Sequence, residues 1–245
     1  IIGGAKRIVK VTEFVVPFMA IFYIGGCTVF LFLKANLIPG AFAEIFKDAF
    51  NFESVGGGIL GFSVSRAMRF GISRGIFTHE AGLGAASIAH SSSNEKNPAV
   101  QGMWGIFEVF FDTILICTIT ALVILTSGVS DADGSVLTAL SFATVFGDFG
   151  IYFIAIAITF FATASILGWA FYGQRALEYL SSSKKSDFLF KAIFIASVFA
   201  GTCMNMQSVW ELSDILNGLI ALPNLAALIL LSPEVVRLTN EYKKR

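Results

Sequence analysis

The chain has 245 residues, 56% of them hydrophobic, with a mean hydropathy of +0.77. Only 14% are charged, against roughly 25% in soluble domains, and 17 basic residues balance 17 acidic ones. This composition excludes a soluble enzyme and a disordered chain, because so much apolar surface has no place to hide in water. The zero net charge removes the basic footprint of a nucleic-acid binder.

A spanning helix needs about 20 mostly apolar residues. Residues 11–33 qualify, with only Glu13 charged. Residues 39–50 (PGAFAEIFKDAF) place Phe42, Ile45, Phe46 and Ala49 at helical spacing, opposite Glu44, Lys47 and Asp48. That pattern predicts an amphipathic helix lying on the outer surface. Residues 56–90 are long and Gly-rich, with Arg66, Arg69, Arg74, His79 and Glu80 among apolar side chains. They predict a crossing that is not a simple lipid-facing helix. Residues 102–126 form the next span, with Glu108 and Asp112 inside it, and 135–146 a second surface helix. Residues 151–172 carry no charge at all. Residues 188–204 are a shorter span, and 209–231 a last one, interrupted by Pro223. The fold class is therefore all-α: a polytopic membrane protein of about six crossings with one broken helix, forming a single transmembrane domain over 1–245.

Lys and Arg set the orientation. With six crossings, twelve of the 17 basic residues fall on the side that holds Lys6, Arg7 and Lys10. Lys96, the cluster Arg175, Lys184, Lys185 and Lys191, and the tail with Arg237, Lys243, Lys244 and Arg245 share that side. The opposite loops carry only Lys34 and Lys47, and loop 127–150 holds Asp131, Asp133 and Asp148 without a basic residue. Both ends are therefore expected in the cytoplasm. The chain opens on Ile1 without a signal-peptide pattern and is read as the C-terminal part of a longer protein. Cys27, Cys117 and Cys203 are far apart in apolar runs, which suits small lipophilic residues and neither a disulfide framework nor a metal set.

Three segments carry candidate chemistry. Residues 71–84 read GISRGIFTHEAGLG, too rich in glycine to hold a regular helix at membrane depth. Irregular backbone there must line a cavity or be buried in protein, and its exposed carbonyls and N–H groups suit coupling ions and anionic cargo. The competing reading is close helix packing through glycine. His79-Glu80 is no metalloprotease signature, since the second His of HExxH would fall on Leu83. Glu108 and Asp112 are four apart, on one helical face. Intramembrane acids mark function by default, and the roles left open are a cation ligand, a proton carrier or a partner for Arg66, Arg69 or Arg74. Thr163, Ser165 and Trp169 stand in TASILGW, where Ser165 and Trp169 share one face. Either the hydroxyls bond the backbone carbonyl one turn back, or Ser165 and the indole form the polar and apolar walls of a small pocket.

GIFTHEAGLGAASIAH, FFDTILICTITALVILTSG, TASILGWAFYGQRALEYL and WELSDILNGLIALPNLAALILLSPEVV together resemble the C-terminal half of the sodium:alanine symporter family, over nearly the whole chain. The resemblance implies a fold similar to the leucine-type amino-acid transporters, with two five-helix inverted repeats around a central site. Residues 11–33 would end the first repeat and 56–245 would form the second. It implies sodium-driven import of alanine or glycine across the cell membrane, with no enzymatic activity and no cofactor beyond the coupling ion. Carried over by position, Phe77, Thr78 and Gly82 flank the pocket and Ser165 and Trp169 face it, while Ser165, Thr163 and Asp112 are the sodium candidates. Partners would be the amino acid, sodium, the bilayer and an N-terminal half holding the other broken helix. The family commonly reads FSNEAGLGS, whereas Thr78, His79 and Ala85 stand here, and Ser165 replaces a usual Thr. Proton coupling through His79, Glu80 or Asp112 is the nearest alternative, and an intramembrane enzyme a remote one.

Overall fold

The computed structural model describes residues 5–49, 58–181 and 183–244. Every regular element among them is helical. α1 (Ala5–Leu33) leads through a 3-10 turn to α2 (Ile38–Ala49), and α3 (Gly58–His79) is followed by the short α4 (Ala85–His90). α5 (Pro98–Val109), a π-helical stretch (Phe110–Ile116) and α6 (Cys117–Ser127) follow one another without a break. α7 (Gly134–Phe146), α8 (Asp148–Leu180), α9 (Lys184–Cys203) and α10 (Met206–Lys243) complete the chain.

Local chemistry sets several of these ends. The Asn97 side chain accepts from the Ala99 N–H at 3.0 Å, with Pro98 in the first turn, where its missing N–H costs nothing. Asn205 caps α10 in the same way through the Gln207 N–H at 2.8 Å. Pro223 does not interrupt the last span as expected from sequence. α10 runs through both Pro223 and Pro233, because membrane helices tolerate the lost hydrogen bond where neighbouring groups re-satisfy the backbone.

Among the described residues, five helical stretches are long and apolar enough to cross a membrane: Arg7–Leu33, Pro98–Ser127, Asp148–Leu180, Lys184–Cys203 and Met206–Lys243. The sixth expected crossing, residues 56–90, is not among them; Arg66, Arg69 and Arg74 all fall in α3. Its first residues, Gly56 and Gly57, lie outside the described residues, as do Phe50 of the amphipathic segment and Arg245 of the basic tail. α2 matches that amphipathic segment, with Ala41 buried and Phe42, Ile45 and Phe46 exposed.

The chain divides into two compact units. One comprises residues 6–69 and 114–169. Its core is Tyr23, Cys27 and Phe30 of α1, Val123 of α6, Phe142 of α7, and Phe153, Ile154 and Ala157 of α8. The Phe142 ring stacks on Phe153 at 5.2 Å and tilts against Phe30 at 5.4 Å. Phe153 fills the space that a Cβ at Gly26 would need, so the glycine permits the α1–α8 approach. The Tyr23 hydroxyl, otherwise stranded among these rings, meets Thr120 Oγ1 at 2.8 Å. The other unit comprises residues 1–5, 70–113 and 170–245, and it holds the C-terminal part of α3 with the break, and α4, α5, α9 and α10.

Candidate functional site

The helical ladder of α3 ends where the Glu80 N–H donates to the Ile76 carbonyl at 3.0 Å. Beyond it the chain unwinds over residues 80–84, with φ of +51° at Glu80, +86° at Gly82 and +87° at Gly84. Two of the three left-handed positions are glycines, which meet that conformation without a Cβ penalty. The His79 Nδ1 accepts from the Ala81 N–H at 3.0 Å, and the Leu83 N–H folds back to the Glu80 carbonyl at 3.0 Å. No backbone N–H among the described residues reaches the carbonyls of Phe77, Thr78 or His79. The break is therefore confined to residues 80–84, while residues 71–79, also expected to be irregular, stay helical to the end of α3, whose last carbonyls lack a backbone N–H partner among the described residues.

α10 grips both sides of the break. The Asn224 Nδ2 donates to the Gly82 carbonyl at 2.8 Å. Further along, the Arg74 guanidinium donates to Asp214 Oδ2 at 2.6 Å, and the Ser73 hydroxyl to Oδ1 at 3.2 Å. The guanidinium also lies 4.1 Å from the centre of the Trp210 ring, and Phe77 meets that ring edge-on at 5.1 Å.

A cleft of about 1030 Å³ opens beside the break. Thr78, His79, Glu80, Glu108, Asp112 and Tyr172 contribute to its lining. His90 sits in its wall between two partners. Gln101 Nε2 approaches His90 Nδ1 at 2.6 Å, and Glu108 Oε2 lies 3.4 Å from His90 Nε2. The Ser93 hydroxyl donates to Gln101 Oε1 at 2.9 Å, which leaves the amide nitrogen for the imidazole. A Cβ on Gly105 would come within 3.3 Å of His90 Nε2, so α5 offers a glycine where the ring packs.

Asp112 lies in the π-helical stretch, which widens the turn at the cleft wall. Its Oδ2 is buried with no hydrogen-bond partner among the described residues, and so is the Thr113 hydroxyl. Of the pairs weighed for the two acids, Arg74 instead binds Asp214, and Glu108 lies against His90. The Glu108 and Asp112 side chains nonetheless line one cleft, as their spacing predicts.

Phe77, Thr78, Gly82 and Asp112 thus belong to one compact unit, while Thr163, Ser165 and Trp169 belong to the other. All three of the latter stand on α8. The Thr163 hydroxyl donates to the Thr159 carbonyl at 2.7 Å, the ordinary backbone bond one turn back. Ser165 makes no such bond among the described residues and is exposed; Trp169 is half-buried. Sequence reasoning did not find Asn224, Asp214 or the Gln101–His90–Glu108 group. An Asn inside the apolar run IALPNLAALILL was the available signal, since a lone amide there requires a partner.

The pattern of apolar helices, an unwound FTHEAGLG turn and ILGW on a charge-free stretch extends over the whole chain, and the profile of the sodium:alanine symporter family matches residues 1–245. The chain belongs to the sodium:alanine symporter family. It is a multi-pass membrane protein of all-helical build. It is 38% identical to the sodium/alanine symporter AgcS of Methanococcus maripaludis, over 100% of this chain and 54% of that protein. It is 36% identical to the probable sodium/glutamine symporter GlnT of Bacillus subtilis, over 100% of this chain and 51% of that protein. It is 32% identical to the sodium/proton-dependent alanine carrier protein of Bacillus sp. (strain PS3), over 100% of this chain and 59% of that protein. The chain spans about half the length of the curated relatives it matches.

Proposed function

We propose that the whole protein imports a small neutral amino acid, alanine or glycine, across the cell membrane, driven by sodium through alternating access. The observation that carries this reading is the unwound turn at residues 80–84, beside which no backbone N–H among the described residues reaches the carbonyls of Phe77, Thr78 and His79. Sodium is a hard cation and takes oxygen ligands, and a broken membrane helix supplies them from backbone without a fixed charge. Phe77, Thr78 and Gly82 are the pocket residues of the broken helix, and Ser165 and Trp169 those of α8. Ser165 and Asp112 are the side-chain sodium candidates. Thr163 spends its proton on Thr159 and keeps lone pairs for a cation. Residues 56–245 act as the second repeat of a leucine-transporter-type fold, with both ends of this chain cytoplasmic.

Trp169 sets the size limit, because a half-buried indole occupies the room that a long side chain needs. Of the named relatives, one is a sodium/alanine and one a probable sodium/glutamine symporter, so side-chain size is the property to probe. Purified full-length protein in proteoliposomes, under an inward sodium gradient, should accumulate labelled alanine. Excess glycine should compete and excess phenylalanine should not. Equal competition by glutamine would refute the size limit, and no accumulation of label would refute the reading as a whole. Proton participation is the second reading. It draws on the His79, Glu80, His90 and Glu108 side chains in the cleft and on the relative named as sodium/proton-dependent.

A further inference from the structure

The unwound turn has a conformational problem. Five residues, two of them left-handed glycines, have many alternatives of similar energy. In a low-dielectric setting a free amide or carbonyl seeks any partner within reach. Something must therefore hold the turn in the one arrangement that leaves the Phe77, Thr78 and His79 carbonyls open. The local contacts hold the N–H groups of Glu80, Ala81 and Leu83 and the Gly84 carbonyl, which accepts from the Ser87 hydroxyl at 2.6 Å, and they leave the Gly82 carbonyl to a partner from elsewhere in the chain.

We propose that Asn224 of α10 is the positioning residue of the broken helix: its amide holds the Gly82 carbonyl and so fixes the unwound turn in its cargo-binding form. This rests on the symport reading above. The Asn224 Nδ2 donates to Gly82 O at 2.8 Å across 142 residues of sequence. The same side chain occupies the space that Gly84 leaves, since a Cβ there would stand 2.8 Å from Asn224 Oδ1. The two glycines serve different ends: Gly82 presents its carbonyl to the amide, and Gly84 lets the amide come close enough to take it. The need is mutual. Asn224 is the sole polar residue between Asn217 and Ser232, and its burial on an apolar helix is costly unless bonded.

A second contact gives the grip a lever. Asp214 holds Arg74 and Ser73 on the helical arm of α3. Ten residues separate Asp214 from Asn224, or about 15 Å of helix at 1.5 Å per residue. α10 thus holds the arm and the turn at two points, and any displacement of α10 during alternating access carries the turn with it.

The test uses the reconstituted full-length protein. Asn224→Leu keeps the side-chain shape and removes the donor, and Asn224→Ala is a second variant free of any new packing. Hydrogen–deuterium exchange is read at residues 80–85, with α9 as the internal reference. Labelled alanine uptake is read as half-saturating concentration and as maximal rate per folded transporter. Loss of this part-buried hydrogen bond should raise exchange in the turn, and the half-saturating alanine concentration, by roughly tenfold. The maximal rate and the exchange of α9 should stay near wild type. Unchanged exchange in both variants would overturn the contact. Raised exchange with lower yield but unchanged half-saturation would make Asn224 merely structural and overturn the positioning role. If the wild-type protein accumulates no amino acid, the symport reading fails and takes the role with it. A defect confined to the variants' exchange leaves that reading standing and removes only Asn224.

Discussion

At Asp112 two demands collide. An ionised carboxylate costs several kcal/mol at membrane depth unless something compensates it, yet Oδ2 is buried without a hydrogen-bond partner among the described residues. A cation bound there would resolve the conflict, and Asp112 stands in the π-helical stretch, where the turn is wider. Ser165 would meet a different need, an oxygen without charge on the charge-free stretch of α8. If both contribute to sodium binding, Asp112→Asn and Ser165→Ala should each raise the sodium concentration for half-maximal uptake more than they change apparent alanine affinity. Ser165→Thr should be almost silent, because the hydroxyl is retained. Sodium titration of initial uptake rates checks this, and a larger change in alanine affinity than in sodium affinity would place these side chains on the cargo instead. At this scale the sequence was legible where chemistry was unusual for its setting. Acids and hydroxyls within apolar runs pointed to Asp112, Ser165 and Thr163. The role of His90 was not legible, because its partners Gln101 and Glu108 lie on the following helix at spacings that no local pattern encodes.

The broken helix is the element on which the account depends. Its glycines were readable from GISRGIFTHEAGLG, and the turn falls within that stretch, at residues 80–84. The π-helical stretch at Phe110–Ile116 was not readable, since FFDTILI carries no glycine or proline to mark it. Pro223 misled in the other direction: a proline normally stops a helix, but α10 continues through it. The turn also makes the cost of glycine replacement specific. Gly84→Ala forces a Cβ into the left-handed region, worth about 1–2 kcal/mol, and drives it against Asn224 Oδ1 at 2.8 Å. It should lower the thermal midpoint of the purified protein by several degrees and weaken alanine uptake. Gly40→Ala, where φ is ordinary and nothing stands within 4 Å, should alter neither. A fluorescence-detected melting series on the two variants checks the contrast, and equal melting of both would contradict the strained turn.

For the whole molecule, composition and periodicity carried most of the architecture. Five of the expected spans emerged as long apolar helices, because about 20 apolar residues leave the backbone no other way to satisfy itself in lipid. The sixth was legible as exceptional but not as to form, since Arg74 is anchored to Asp214, 140 residues away, a partner that only tertiary contacts reveal. The central claim is that sodium supplies the driving force. The direct measurement is labelled alanine uptake by the full-length protein in proteoliposomes, with an inward sodium gradient at equal pH in one arm and an inward proton gradient without sodium in the other. The account predicts accumulation above equilibrium in the first arm and only passive equilibration in the second. Accumulation driven by the proton gradient with sodium absent would contradict it and move the coupling site to the His79, Glu80, His90 and Glu108 side chains of the cleft.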